Sequence, residues 1–78
     1  MSEWAPLEYF LTDVGRLADF MFMQSLDEGG VRIFSYKHRN TRRYLNLDMQ
    51  GNCYTCCGKG DIKYLQVTPQ EALAYVFS

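Results

Sequence analysis

Cys53, Cys56, Cys57 and the lone histidine, His38, are the residues whose types come nearest to a reactive or metal-binding set in this chain. Cys53-Tyr54-Thr55-Cys56 has the C-x-x-C spacing of one knuckle of a zinc ribbon, but the second ligand pair is missing. A tetrahedral site would have to be built from Cys53, Cys56, Cys57 and His38. On a strand, Cys53 and Cys57 point to one face and Cys56 to the other, so the three thiols converge on one ion only if the run is a sharp loop. A small zinc-binding protein is therefore one alternative. The expected state has no metal, no structural disulfide and no cofactor. A dithiol redox role would need the motif at a strand-to-helix turn. His38, flanked by Lys37 and Arg39, reads as a surface residue at a strand end. The chain has no nucleophile elbow, phosphate loop or carboxylate pair, and a non-enzymatic protein is expected.

A second cluster, Lys37-His38-Arg39-Asn40-Thr41-Arg42-Arg43, is basic and stands among aromatic residues. It belongs to a wider asymmetry. Residues 1–30 hold six acids and one base, whereas residues 31–63 hold seven bases and two acids, although the net charge is only −1. Such a molecule carries an electrical polarity unless the two halves neutralise each other on folding.

The elements that must position these groups are legible from periodicity. Seventy-eight residues make one small domain spanning 1–78, since two cores cannot be built from so short a chain. From Pro6 to about Met23, apolar residues recur at helical spacing and predict an amphipathic N-terminal helix, interrupted at Gly15. Residues 20–26 are also compatible with a first strand. After Asp27-Glu28-Gly29-Gly30 the period becomes 2, and four runs follow: 31–38, 42–48, 52–57 and 61–67. Three-residue hairpin loops at 39–41, 49–51 and 58–60 join them. Thr68-Pro69-Gln70-Glu71 is a capping box opening a short C-terminal helix. The fold class is α+β: helix, antiparallel β-meander of about four strands, helix, in two layers.

With those loops, Ile33, Leu47, Cys53 and Leu65 form a cross-strand row beside Val31, Leu45 and Val67. Leu7, Leu11, Val14, Leu17 and Leu73 of the helices should cover it. The opposite face would carry Phe34, Asn46, Tyr54 and Tyr64 beside Tyr36, Tyr44, Cys56 and Ile62, with Arg32 and Asp48 at one end and His38 and Arg42 at the other. Five rings with a charged rim have the anatomy of an interface. The expected function is a non-catalytic protein-binding module of accessory or inhibitor type, self-associating or binding another protein through Arg32, Phe34, Tyr36, Arg42, Tyr44, Tyr54, Ile62 and Tyr64. A single-stranded nucleic-acid binder using the same face and the hairpin 37–43 is the alternative. No apolar run is long enough to span a bilayer, no signal peptide is visible, and odd, partly adjacent cysteines suit a reducing cytoplasm, so no membrane partner is expected.

Overall fold

The structure, a computed structural model, describes residues 3–11, 14–57 and 63–77. Among the described residues one antiparallel sheet contains five strands: β1 (Phe20–Glu28), β2 (Val31–His38), β3 (Tyr44–Leu47), β4 (Cys53–Cys57) and β5 (Lys63–Val67). They are hydrogen-bonded in chain order, so the sheet is a pure meander. Helix α1 (Ala5–Phe10) and a 3₁₀ helix (Val14–Asp19) precede it, and α2 (Pro69–Val76) follows. No helix among the described residues is long and apolar enough to cross a membrane.

The expected long N-terminal helix is replaced by three shorter elements. Helix α1 ends where Leu11 turns extended (φ −97°, ψ 112°), and from Phe20 the chain is the first strand. Gly29 and Gly30 explain the change. Both have positive φ (58° and 87°), which a two-residue hairpin turn of type I′ requires. That turn lets residues 20–28 pair with the whole of β2, from Glu28↔Val31 to Phe20↔His38, with a bulge between Phe22 and Gln24. Pairing along eight residues outweighs a helix propensity weakened by Gly15 and by β-favouring rings.

The core lies between the sheet and the helices. Leu7 and Leu11 from the N-terminal segment, Ala72 and Val76 from α2, and Leu45, Leu47 and Cys53 from the sheet pack in one buried cluster, with Tyr36 at its centre. Six residues are too few for a helix to persist alone. Helix α1 is held by the complete burial of Leu7 and by the Tyr36 hydroxyl, which donates to the Glu3 carbonyl oxygen at 2.6 Å.

Helix α2 begins as expected. The Thr68 hydroxyl accepts from the Glu71 N–H at 3.2 Å and the Glu71 carboxylate accepts from the Thr68 N–H at 3.2 Å. Thr68→Ala is expected to cost about 1 kcal/mol in a urea melt, because one orphan N–H loses its acceptor. An unchanged midpoint would mean that this cap is not formed in solution.

The register differs from expectation at one hairpin. Phe34 pairs with Leu47 and Tyr36 with Leu45, one residue away from the expected Ile33↔Leu47. The His38 N–H donates to the Arg43 carbonyl oxygen, so the loop is Arg39-Asn40-Thr41-Arg42, four residues rather than three. One extra loop residue reverses the facing of β2 relative to everything after it. The loop 49–51 is as expected, with Gly51 at φ 85°, and Leu47 pairs with Cys53. Residues 58–60 lie outside the described residues. Strand β5 is displaced by two positions, which puts Val67, not Leu65, opposite Cys53 and leaves its facing unchanged.

Candidate functional site

The hairpin shift divides the expected aromatic face. Tyr36 is fully buried in the helix-side core, against Trp4 (ring centroids 5.6 Å) and Phe22 (5.8 Å). Phe34 packs against the same core, and Arg32, on that side of β2, forms an ion pair with Asp27 at 3.0 Å. None of these three belongs to the open face. Ile62 lies outside the described residues. Tyr44, Tyr54 and Tyr64 do remain on the side of the sheet away from the helices, where one row runs Gln24–Ser35–Asn46–Tyr54–Gln66 across all five strands. Ile33, expected under the helices, is buried on this second side, paired with Leu26.

The open side is concave. Side chains from all five strands, Gln24, Ser35, Asn46, Cys56 and Tyr64, line one cleft on this side, which a flat sheet about 19 Å across would not allow, so the sheet curls. The curl is helped by a short central ladder. Strands β3 and β4 pair only at Asn46↔Tyr54 and Leu47↔Cys53, whereas β2–β3 pairing continues to Lys37↔Tyr44 and β4–β5 pairing to Cys57↔Lys63. A cleft of about 270 Å³ lies towards the end where the halves part, with Ser35 and Asn46 as its floor, Tyr44 and Tyr64 as walls, and Gln24 and Cys56 at the mouth. A larger groove of about 450 Å³ runs between α1, α2 and the β3–β4 loop beside exposed Tyr9. No buried polar side chain lines it, whereas buried Ser35 and Asn46 converge at the base of the cleft, so the cleft is the better candidate.

Its floor is preorganised. The Ser35 hydroxyl donates to Asn46 Oδ1 at 2.7 Å, and Asn46 Nδ2 donates to the Tyr54 carbonyl oxygen at 3.2 Å. Burial is the main cause that raises the Tyr64 pKa above its ordinary value, with the carboxylate of Glu28 adding to it. Burial likewise pushes the Cys53 thiol up to about 11. Such shifts keep both groups protonated, the opposite of what activates a nucleophile.

At one end of this face, Asp48 organises the β3–β4 turn. Its carboxylate accepts from the Gln50 N–H (2.8 Å), the Asn52 N–H (2.9 Å), Asn52 Nδ2 (3.0 Å) and the Tyr54 hydroxyl (2.8 Å). Burial alone would raise its pKa, but the hydrogen bonds from Asn52, Tyr54 and Gln50 prevail and hold it below the usual aspartate value.

At the other end stands the basic hairpin tip. His38, expected at the surface, is buried with its ring edge-on to Phe20 and Phe77. Its Nδ1 accepts from the Asn40 and Thr41 N–H groups, both at 3.2 Å, and the Thr41 hydroxyl donates to the Val76 carbonyl oxygen at 2.6 Å. The loop is thereby fastened to β2 and α2. Arg42 has φ 62°, alone among the described non-glycine residues in being positive, a conformation that costs about 1–2 kcal/mol with an L side chain. The sole ion pair among the described residues is Arg32–Asp27, so no described carboxylate of the acidic N-terminal part pairs with a cation of the tip. Lys37 stands 5.9 Å from the Tyr44 ring and Arg43 4.6 Å from the Tyr75 ring, and both rings border the cleft.

Cys53 and Cys56 do not gather, and the Cys57 side chain lies outside the described residues. Cys53 is buried on the helix side and Cys56 is exposed on the open side, while His38 Nδ1 is occupied by backbone N–H groups. Among the described residues no three His, Cys, Asp or Glu side chains are grouped as a metal site would need. No family model, curated protein or solved structure matches the chain.

Proposed function

We propose that this protein is a non-catalytic binding module, of accessory or inhibitor type, that engages another protein through the concave open face of its sheet. The reading rests on one observation: the helices pack on one side of the sheet, and on the other Tyr44 (41% exposed) lines a cleft floored by fixed polar groups, which Tyr75 of α2 borders as well. An ordinary solvent-facing sheet carries polar residues there. A binding role rather than a chemical one is supported by the upward shifts at Cys53 and Tyr64. A reducing cytoplasm fits two free thiols placed on opposite faces of β4.

Tyr44→Ala tests the reading. Its ring is substantially exposed, so the stability cost is expected to be under about 1 kcal/mol, while affinity for a partner captured from cell extract should fall at least about tenfold if the ring is a binding anchor. Capture in the presence of nuclease separates a protein partner from a nucleic acid. A captured protein held equally well by wild type and Tyr44→Ala would remove this face from the interaction.

A further inference from the structure

The open face has two unlike ends. At one, Lys37 near the end of β2, Arg39 and Arg42 of the fastened loop and Arg43 just after it stand together, with no carboxylate paired to any of them among the described residues. At the other, Asp48 is saturated by its own turn, and Glu28 lies near enough to the Tyr64 hydroxyl to oppose its ionisation. The cleft between them is bordered by neutral side chains. Position 42 is the most telling. A four-residue hairpin loop with its last residue at φ 62° favours glycine or asparagine there, yet arginine occupies it. Local strain held in a loop that the surrounding structure fastens is characteristic of a functional position.

We propose that an acidic segment of a partner protein docks here, its carboxylates on the guanidinium groups of Arg39, Arg42 and Arg43 and on Lys37, and one neutral side chain between Tyr44 and Tyr64. The inference rests on the open-face reading and adds the chemistry of the partner. Arginine forks take carboxylates in paired hydrogen bonds, and the loop's anchors lower the entropy lost on binding. Confinement of the cations to one end favours a short acidic segment over a nucleic acid. A polyphosphate crossing the face would leave the arginines and meet the negative charge of Glu28.

The test uses the full chain and labelled peptides of about eight residues with one central tyrosine and none, two or four glutamates, read by fluorescence anisotropy at about 50 and 200 mM salt. Affinity is expected to rise with glutamate number and to weaken with salt. In Arg42→Gly, glutamate-dependent affinity should fall roughly tenfold, the size of one charge-assisted pair, while the melting temperature stays equal or rises because the strained φ is relieved. Failure of every peptide to bind, affinity indifferent to glutamate number, or unchanged affinity in Arg42→Gly overturns the proposal. So does tighter binding of a twelve-nucleotide oligo-dT than of the four-glutamate peptide. Loss of peptide binding in Tyr64→Ala but not in Arg42→Gly would retain the open face and reject the acidic partner, whereas indifference to both would reject the two readings together.

Discussion

Tyr36→Ala is expected to destabilise the fold by about 3–5 kcal/mol, the range for truncating a fully buried aromatic residue, which is most of what a domain of this size has to lose. The ring is completely buried and touches Trp4 and Phe22, and its hydroxyl holds the Glu3 carbonyl oxygen just before α1. Removing it leaves a cavity under the N-terminal segment and an unpaired carbonyl group. Tyr36→Phe separates the two contributions, because it keeps the packing and should cost only about 1 kcal/mol, the net worth of one hydrogen bond. Urea melts followed by far-ultraviolet circular dichroism measure both. The comparison with Tyr44→Ala also checks the register: under the alternative facing the two tyrosines would share a surface and respond alike. A folded Tyr36→Ala protein with near wild-type stability would place this ring outside the core.

Asp48→Ala is expected to cost about 2–4 kcal/mol, since one substitution leaves the Gln50 and Asn52 N–H groups, Asn52 Nδ2 and the Tyr54 hydroxyl without their acceptor. The acid dependence follows from the same geometry. The Asp48 pKa in the fold lies below its unfolded value, about 3.9. Its stabilising contribution is therefore fully present above about pH 4. It is lost as the pH falls through the lower folded value. Thermal melts at pH 7, 4 and 3 should show a declining limb in the wild type, and that limb should be shallower in Asp48→Asn, which cannot lose a charge. An equally steep limb in Asp48→Asn would assign the acid sensitivity to other carboxyl groups. The Tyr44 and Tyr64 walls are untouched by either change, so binding by whatever molecule remains folded should be retained.

The strand runs, the loop 49–51 and the capping box at Thr68 were legible because each is written in contiguous residues whose chemistry admits few conformations. Gly51 takes a positive φ, and Thr68, Pro69 and Glu71 form the expected cap. The β1 strand was legible only as an alternative. Its own residues alternate weakly, while the decisive signal, Gly29-Gly30 between two runs of nine and eight residues, lies at its end. For the site, β2 itself carries a signal that its even-numbered side faces the core. Phe34, Tyr36 and His38 occupy alternate positions, and in a small domain three large rings in register serve first to fill the core. Ser35 and Gln24 gave no sign of being a cleft floor and its mouth, because small polar residues read alike in a solvated strand and in a concave one.

The kind of fold, two helical termini around an antiparallel meander, is written in contiguous residues. Periodicity and capping act over a few residues and need no knowledge of distant ones. Which side became core was decided only in the tertiary structure. The facing of β2 relative to β3 depends on whether the hairpin holds three residues or four, and the fourth, Arg42, adopts a conformation that no local preference of arginine predicts. That conformation exists because His38 of β2 and Val76 of α2 fasten the loop through Thr41. A one-residue step of this kind costs little locally and turns every side chain of a strand to the other face, so the surface available for binding is a property of the assembled sheet.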